Sequence, residues 1–274
     1  MHLNRWLTSL LLLPVIIFLI IRGGAPFFIL IGAVCVVSLW EYFSIIFHGR
    51  PKNKVMIHAG LVLGFFMVLA AHQGSVAGLL WLLSLDLLVC AVASIAMSKP
   101  QTSLIESVPR QIHGMIYIPL FLSLLVLLRN QGNGASWILM ILCVIFAGDT
   151  GAFYVGTYLG RHKLIPWISP GKTIEGAVGG VAANIAVGSL INYFFPLLPW
   201  GMSMQTLPWG LSIAFFVAIG LVGQLGDLYE SQFKRAADIK DSGNILPGHG
   251  GILDRIDALL FAAPAAYFFK MMVF

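Results

Sequence analysis

The chain has 274 residues, is 59% hydrophobic and only 10% charged, and its mean hydropathy is +0.92. That composition excludes a soluble globular domain and places the chain among polytopic membrane proteins. The net charge of +5 is absorbed by membrane topology, as shown below, and gives no reason to expect nucleic-acid binding.

A transmembrane helix needs about 20 apolar residues. Nine candidate spans follow one another, centred near residues 14, 36, 63, 86, 120, 146, 186, 217 and 263. The first has the basic start (Arg5) and apolar run (to Ile21) of a signal peptide. No A-x-A site follows it, however, and Pro26 stands where a mature chain would begin, so it reads as a retained helix. The expected fold is an all-α polytopic membrane protein. With nine spans, Arg5, Arg50, Lys52, Lys54, Lys99, Arg110, Arg161, Lys163, Lys172, Lys234, Arg235, Lys240 and Arg255 share one side. Only Arg22, Arg129 and Lys270 fall on the other. The bias places the N-terminus and the charged loops in the cytoplasm and the C-terminus outside.

Residues 1–110 read as a transmembrane scaffold of hairpins with short basic loops. Residues 111–274 read as the catalytic region of the same integral membrane domain. Cys35, Cys90 and Cys143 lie in apolar runs without C-x-x-C spacing, which predicts buried, reduced, structural thiols. Two acidic residues interrupt apolar runs of the scaffold, Glu41 toward the cytoplasmic end of its span and Asp86 near the middle of its own. A carboxylate inside a membrane either has a function or helps helices associate, and the sequence leaves both roles open.

From Gly148 onward the texture changes, and eight of the eleven acidic residues lie there. Gly148-Asp149-Thr150-Gly151 leads through Gly156 and Gly160 to Ser169-Pro170-Gly171-Lys172-Thr173-Ile174-Glu175-Gly176. Serine, glycine, lysine and threonine just before a helix offer hydroxyls, backbone N–H groups and an ammonium to a phosphate. The segment is not a Walker A loop, because Pro166 stands where the first glycine belongs and no strand is expected before it. Asp149 beside it reads as a site carboxylate.

Between Asp227 and Asp257 the chain carries six acidic and four basic residues. In a helix, Asp227, Glu230, Ser231 and Lys234 would share one face. Lys234 and Asp238 are also spaced as an exposed i, i+4 pair, worth only about 0.3–0.5 kcal/mol. Further on stand Lys240-Asp241-Ser242-Gly243, then His249 among Gly248, Gly250 and Gly251, then Asp254-Arg255-Ile256-Asp257. The glycines allow a ligand to approach the backbone closely. Asp254 and Asp257 fall one turn apart at the start of the last helix. Asp227 and Asp254, from two helix ends, suit a hard cation such as Mg²⁺, which takes oxygen ligands and keeps waters and phosphates in its shell. His249 fits a phosphate donor better than a metal ligand.

The run Ser231-x-x-Lys234-Arg235-x₄-Lys240-Asp241-x-Gly243-x-x-Leu246-Pro247-x-His249-Gly250-Gly251-x-Leu253-Asp254-Arg255-Ile256-Asp257 resembles the signature of the phosphatidate cytidylyltransferases, the CDP-diacylglycerol synthases. Asp149-Thr150-Gly151-Ala152, Ser169 to Thr173 and Trp40-Glu41 resemble the same family. The resemblance implies a Mg²⁺-dependent reaction of CTP with phosphatidate, giving CDP-diacylglycerol and pyrophosphate, in a homodimeric membrane enzyme. It also implies that Asp227 and Asp254 bind a pair of metal ions; a monovalent cation such as K⁺ is an alternative for the second.

On that basis Lys172, Lys234, Arg235 and Lys240 are expected to neutralise the triphosphate. Ser169, Thr173, Ser231 and His249 are expected to donate hydrogen bonds. Asp149, Glu230, Asp241, Gly250, Gly251 and Arg255 complete the expected site. No protein nucleophile is required, since the lipid phosphate itself attacks, and neither a G-x-S-x-G nor a Cys/His arrangement is evident. The readings weighed against this one are a cytidylyltransferase or kinase for another lipid phosphate or lipid alcohol, and an anion transporter. The lack of a targeting extension fits a bacterial cytoplasmic membrane, with the site on its inner face.

Overall fold

The computed structural model describes residues 2–49, 54–96, 102–194, 207–243, 245 and 250–274. Among them, eight helices are long and apolar enough to cross a membrane, and the first helix adds the shorter apolar run Leu12–Arg22. The chain is therefore an all-helical polytopic membrane protein. His249, Arg50, Lys52 and Lys99 lie outside the described residues.

The chain resolves into two compact units, each discontinuous in sequence. Residues 1–130 and 236–255 form the first, and residues 131–235 and 256–274 the second. The stretch from residue 236 to 255 thus groups with the N-terminal unit.

The first unit contains α1 (His2–Arg22), α2 (Gly24–Ile46), α3 (Lys54–His72), α4 (Val76–Ala96), α5 (Thr102–Met115) and α6 (Phe121–Asn130). Between α5 and α6 the single span Glu106–Asn130 widens into a π-helical turn, Ile116–Leu120. Pro119 sits in that turn, where a missing N–H and a bulky ring would otherwise break the ladder of an α-helix. Asp86 resolves toward helix association. It is fully buried and accepts from Gln111 Nε2 at 3.1 Å, and the same nitrogen also donates to the Met56 carbonyl at 3.1 Å. One amide thus ties α3, α4 and α5 together.

The second unit contains α7 (Gly134–Tyr158), a hairpin of β1 (Lys163–Ile165) and β2 (Ser169–Thr173), α8 (Ile174–Phe194), α9 (Trp209–Ala236) and most of α10 (Leu253–Val273). Cys35 and Cys90 are buried as expected, but Cys143 is exposed on the outer side of α7, since an apolar run says nothing about which face meets lipid.

Helices α7 and α8 pack backbone to backbone through small residues, as membrane helices do in the absence of a hydrophobic driving force. A Cβ on Gly151 would strike Ala183 at 2.5 Å, one on Gly176 the Ala152 carbonyl at 2.8 Å, and one on Gly180 the Gly148 carbonyl at 2.9 Å. Similarly, Gly226 of α9 admits the Asp257 carbonyl, where a Cβ would lie 2.5 Å away. These contacts fix the depth at which Asp149, Asp227 and Asp257 are held. Gly180→Leu is therefore expected to cost about 1–3 kcal/mol by forcing α7 and α8 apart. A lowered thermal unfolding midpoint of the detergent-solubilised variant, with turnover falling alongside it, checks this.

Candidate active site

The hairpin explains how the Ser169–Thr173 segment is held. It is a strand rather than a loop, a difference the sequence hid because Ser-Pro-Gly reads as a turn. Lys163 pairs with Thr173 and Ile165 with Ser169 in antiparallel register. Lys163 Nζ donates to the Pro170 carbonyl at 2.7 Å. Glu175, in the first turn of α8, accepts the backbone N–H groups of Arg161 (3.1 Å) and His162 (3.2 Å) and pairs with His162 Nδ1 at 2.6 Å. Thr173 caps α8, its Oγ1 accepting the Gly176 N–H at 3.1 Å. Arg235 Nε donates to the Ile168 carbonyl at 3.1 Å and so pins the hairpin's connecting turn to the end of α9.

Beside this hairpin lies a cavity of about 460 Å³, within the size range of small-molecule sites. Asp149 and Phe153 of α7, Ser169 and Lys172 of β2, and Gln224 and Asp227 of α9 are among its lining residues. Lys172 Nζ meets Asp227 Oδ2 at 2.6 Å, with both side chains partly open to the cavity at 28% and 36% exposure. Ser231 Oγ sits 3.5 Å from Asp227 Oδ1, at the limit of hydrogen bonding. Asp149 and Asp257 each lie within electrostatic range of Asp227, while Lys172 faces Asp149 and Lys234 faces Asp257. The cavity wall thus carries two carboxylates, Asp149 and Asp227, and the ammonium of Lys172, an arrangement with the chemistry to meet either a cation or a phosphate.

The segment from Asp227 to Lys234 is helical, as its spacing predicts. Glu230 is fully buried and forms an ion pair with Lys234 one turn on, so Lys234 turns back along α9 rather than toward Asp238. Asp238 lies beyond the helix end with φ 54°, outside the i, i+4 geometry that such a pair needs. Asp149 is held inside α7, not at its end.

The N-terminal unit gathers the remaining candidates. Asp254 Oδ2 accepts the backbone N–H groups of Ser242 and Gly251, both at 2.9 Å. Glu41 is 3% exposed and does more than its sequence context assigned. Its Oε1 accepts the Ile252 N–H at 3.1 Å, and its Oε2 accepts the Leu253 N–H at 2.8 Å and the Ser242 hydroxyl at 3.2 Å. A carboxylate from α2 thus serves as the N-terminal cap of α10. A Cβ on Gly243 or Gly251 would collide with Glu41, at 2.5 and 2.6 Å from its nearest oxygens, so these glycines are required by the close approach. Lys240, Asp241 and Arg255 are exposed, and Gly250, half-buried with φ 79°, takes a left-handed conformation beside Asp254. The signal that could have identified Glu41 was an acidic residue standing in an apolar span beside Trp40.

A model of the cytidylyltransferase family matches residues 3–273, and the chain belongs to that family. It is similar to the phosphatidate cytidylyltransferase of Bacillus subtilis (strain 168), with 35% identity over 271 residues, 97% of this chain and 96% of that protein. It is also similar to that of Staphylococcus aureus (strain COL), with 32% identity over 262 residues, 95% of each chain. The phosphatidate cytidylyltransferase of Staphylococcus haemolyticus (strain JCSC1435) is 43% identical over 137 residues, 49% of each.

Removing the Glu41 carboxylate leaves two backbone N–H groups and the Ser242 hydroxyl without their acceptor. Glu41→Ala is expected to cost about 1.5–3 kcal/mol and to reduce turnover at least about tenfold. Limited proteolysis should show cleavage between residues 242 and 252 rising with it. A variant as active and as resistant as the parent protein would remove Glu41 from this role.

Proposed function

We propose that this protein is a membrane-embedded phosphatidate cytidylyltransferase, which joins the cytidylyl group of CTP to phosphatidate and releases pyrophosphate. The family and the relatives' names support the reaction, and the Lys172–Asp227 pair on the wall of the cavity beside Asp149 is the observation that carries its placement. An oxygen of the lipid phosphate forms a bond to the α-phosphorus of CTP. The bond from that phosphorus to the bridging oxygen breaks, and pyrophosphate leaves with the electron pair. Catalysis of this step consists of positioning and of charge neutralisation.

The residues have the chemistry for Mg²⁺. Asp227 presents a carboxylate within electrostatic range of Asp149 and Asp257, the oxygen-rich surroundings a hard cation prefers. Among the described residues no three His, Cys, Asp or Glu side chains form a metal cage. That agrees with an ion that takes one or two protein carboxylates and fills its shell with water and phosphate. In this reading Asp227 holds Mg²⁺, and Asp254, its orientation fixed by two backbone amides in the N-terminal unit, is the ligand of a second ion, K⁺ being one choice. Bound there, a cation neutralises phosphate charge as it develops.

Lys172 has two tasks in sequence. While no nucleotide is present it neutralises Asp227. Once phosphates enter, its ammonium can turn to them, because its side chain already faces the cavity. Ser169 and Ser231 add hydroxyl donors. Thr173 and Arg235 act by holding the hairpin, through the α8 cap and the Ile168 carbonyl. Lys240, Asp241, Gly250, Gly251, Arg255 and His249 belong to the nucleotide-handling loop in this proposal. A cytoplasmic site in a bacterial inner membrane and a homodimeric assembly are parts of the same reading, supported by the positive-inside pattern and the family resemblance respectively.

Asp227→Asn is expected to lower turnover by at least about a thousandfold, and EDTA to abolish it reversibly on return of Mg²⁺. Lys172→Met is expected to raise the KM for CTP and reduce kcat/KM about a hundredfold, since it removes one charge-assisted contact to phosphate. Steady-state kinetics on the micelle-solubilised protein check both. Near-normal turnover in Asp227→Asn would refute the metal role of that carboxylate.

A further inference from the structure

At the end of α7 and α10 remote from this cavity, the second unit holds a buried cation that the reaction does not use. Lys270 is only 7% exposed. Its Nζ reaches the Gly132 carbonyl and lies 5.6 Å from the centre of the Trp137 ring. None of the ion pairs found among the described residues includes it. An ammonium has three donor hydrogens, and the Gly132 carbonyl accounts for one.

The same place is the N-terminus of α7. Asn133 precedes that helix in a left-handed conformation, φ 59°, with no side-chain capping bond, and no acidic residue stands in the first turn. Two sources of positive potential therefore meet, a buried ammonium and a helix N-terminus that has no side-chain cap, only its Gly134 N–H being taken, by the Gln131 carbonyl at 3.0 Å. They border a cavity of about 420 Å³ whose walls also include Trp137, Met271 and Phe274. The outer apolar side chains, Met271 and Phe274, are 58% and 59% exposed. Asn133 and Asp149 are sixteen residues apart along the chain, so at about 1.5 Å per helical residue this cavity sits roughly 24 Å from the candidate active site, near the other boundary of the membrane.

The geometry points to a second lipid site: the phosphate of an anionic phospholipid binds between Lys270 and the N-terminus of α7, with its apolar portion against Trp137, Met271 and Phe274. The ammonium and the helix N–H groups recognise the phosphate. The apolar wall and the position at a span end favour a lipid over a free anion. The site is distinct from the one that takes phosphatidate, so its failure would leave the cytidylyl-transfer reading intact.

Native mass spectrometry of the intact protein, titrated with phosphatidylglycerol, tests this against phosphatidylcholine and inorganic phosphate. The parent protein and Lys270→Arg should bind phosphatidylglycerol, and Lys270→Met should bind it roughly tenfold or more weakly, with cytidylyl transfer unchanged as proof of folding. Should Lys270→Met fail to fold, Asn133→Asp gives an independent arm. A fixed carboxylate at the α7 N-terminus should weaken phosphatidylglycerol binding by a similar factor. Inorganic phosphate should not displace the lipid. Undiminished phosphatidylglycerol binding in a folded variant would overturn the site and leave Lys270 as a pin for the 131–133 turn. Displacement by inorganic phosphate would overturn the lipid assignment.

Discussion

The Glu41 carboxylate is the constraint on which the polar loop of the N-terminal unit and the start of α10 depend. A charged group in an apolar span is costly unless its lone pairs are used, and here two backbone N–H groups and one hydroxyl use them. The bonds span more than two hundred residues of sequence, so they act as a long-range staple. Asp254 adds a second staple a few residues away, gathering the Ser242 and Gly251 amides. Between them the two carboxylates set where the polar loop begins and where α10 begins. The glycines at 243 and 251 let the loop come close enough for this to happen.

The second unit solves a different problem, which is how to hold polar and charged side chains at the end of membrane helices. Small residues let α7 and α8 touch along their backbones, and the short antiparallel hairpin then has a rigid base. Glu175 and Arg235 satisfy loose backbone groups beside and within the hairpin, and Thr173 at its end caps α8. Lys172 is consequently presented from a strand whose two ends are fixed, facing Asp227 of α9. That pair keeps opposite charges together on the wall of the cavity.

Much of this was legible in the chain because the signals were strong. The spans are long apolar runs, and most of the charge in the second half is confined to a few polar stretches. The helical face of Asp227, Glu230, Ser231 and Lys234 followed from spacing alone, and so did the place of Asp254 at the start of the last helix. What escaped were features decided by tertiary contact. The β2 strand is Ser-Pro-Gly-Lys-Thr, poor in strand-forming residues, and exists because β1 and Glu175 hold it. Lys234 turns to Glu230 because that carboxylate is buried and needs a counter-charge, which periodicity cannot reveal. The exposure of Cys143 depends on helix rotation. Glu41 was visible as an anomaly, but its partners are too distant in sequence for any local pattern to name them.

The central claim concerns which bond of CTP is broken. The most direct measurement supplies the purified protein, phosphatidate and Mg²⁺ with CTP labelled at either the α- or the γ-phosphorus, and follows the label into lipid. The account predicts that α-label enters the lipid with one pyrophosphate released per lipid formed, and that γ-label appears only in pyrophosphate. Transfer of γ-label to lipid would identify a kinase. No label in lipid from a folded protein would contradict cytidylyl transfer to phosphatidate.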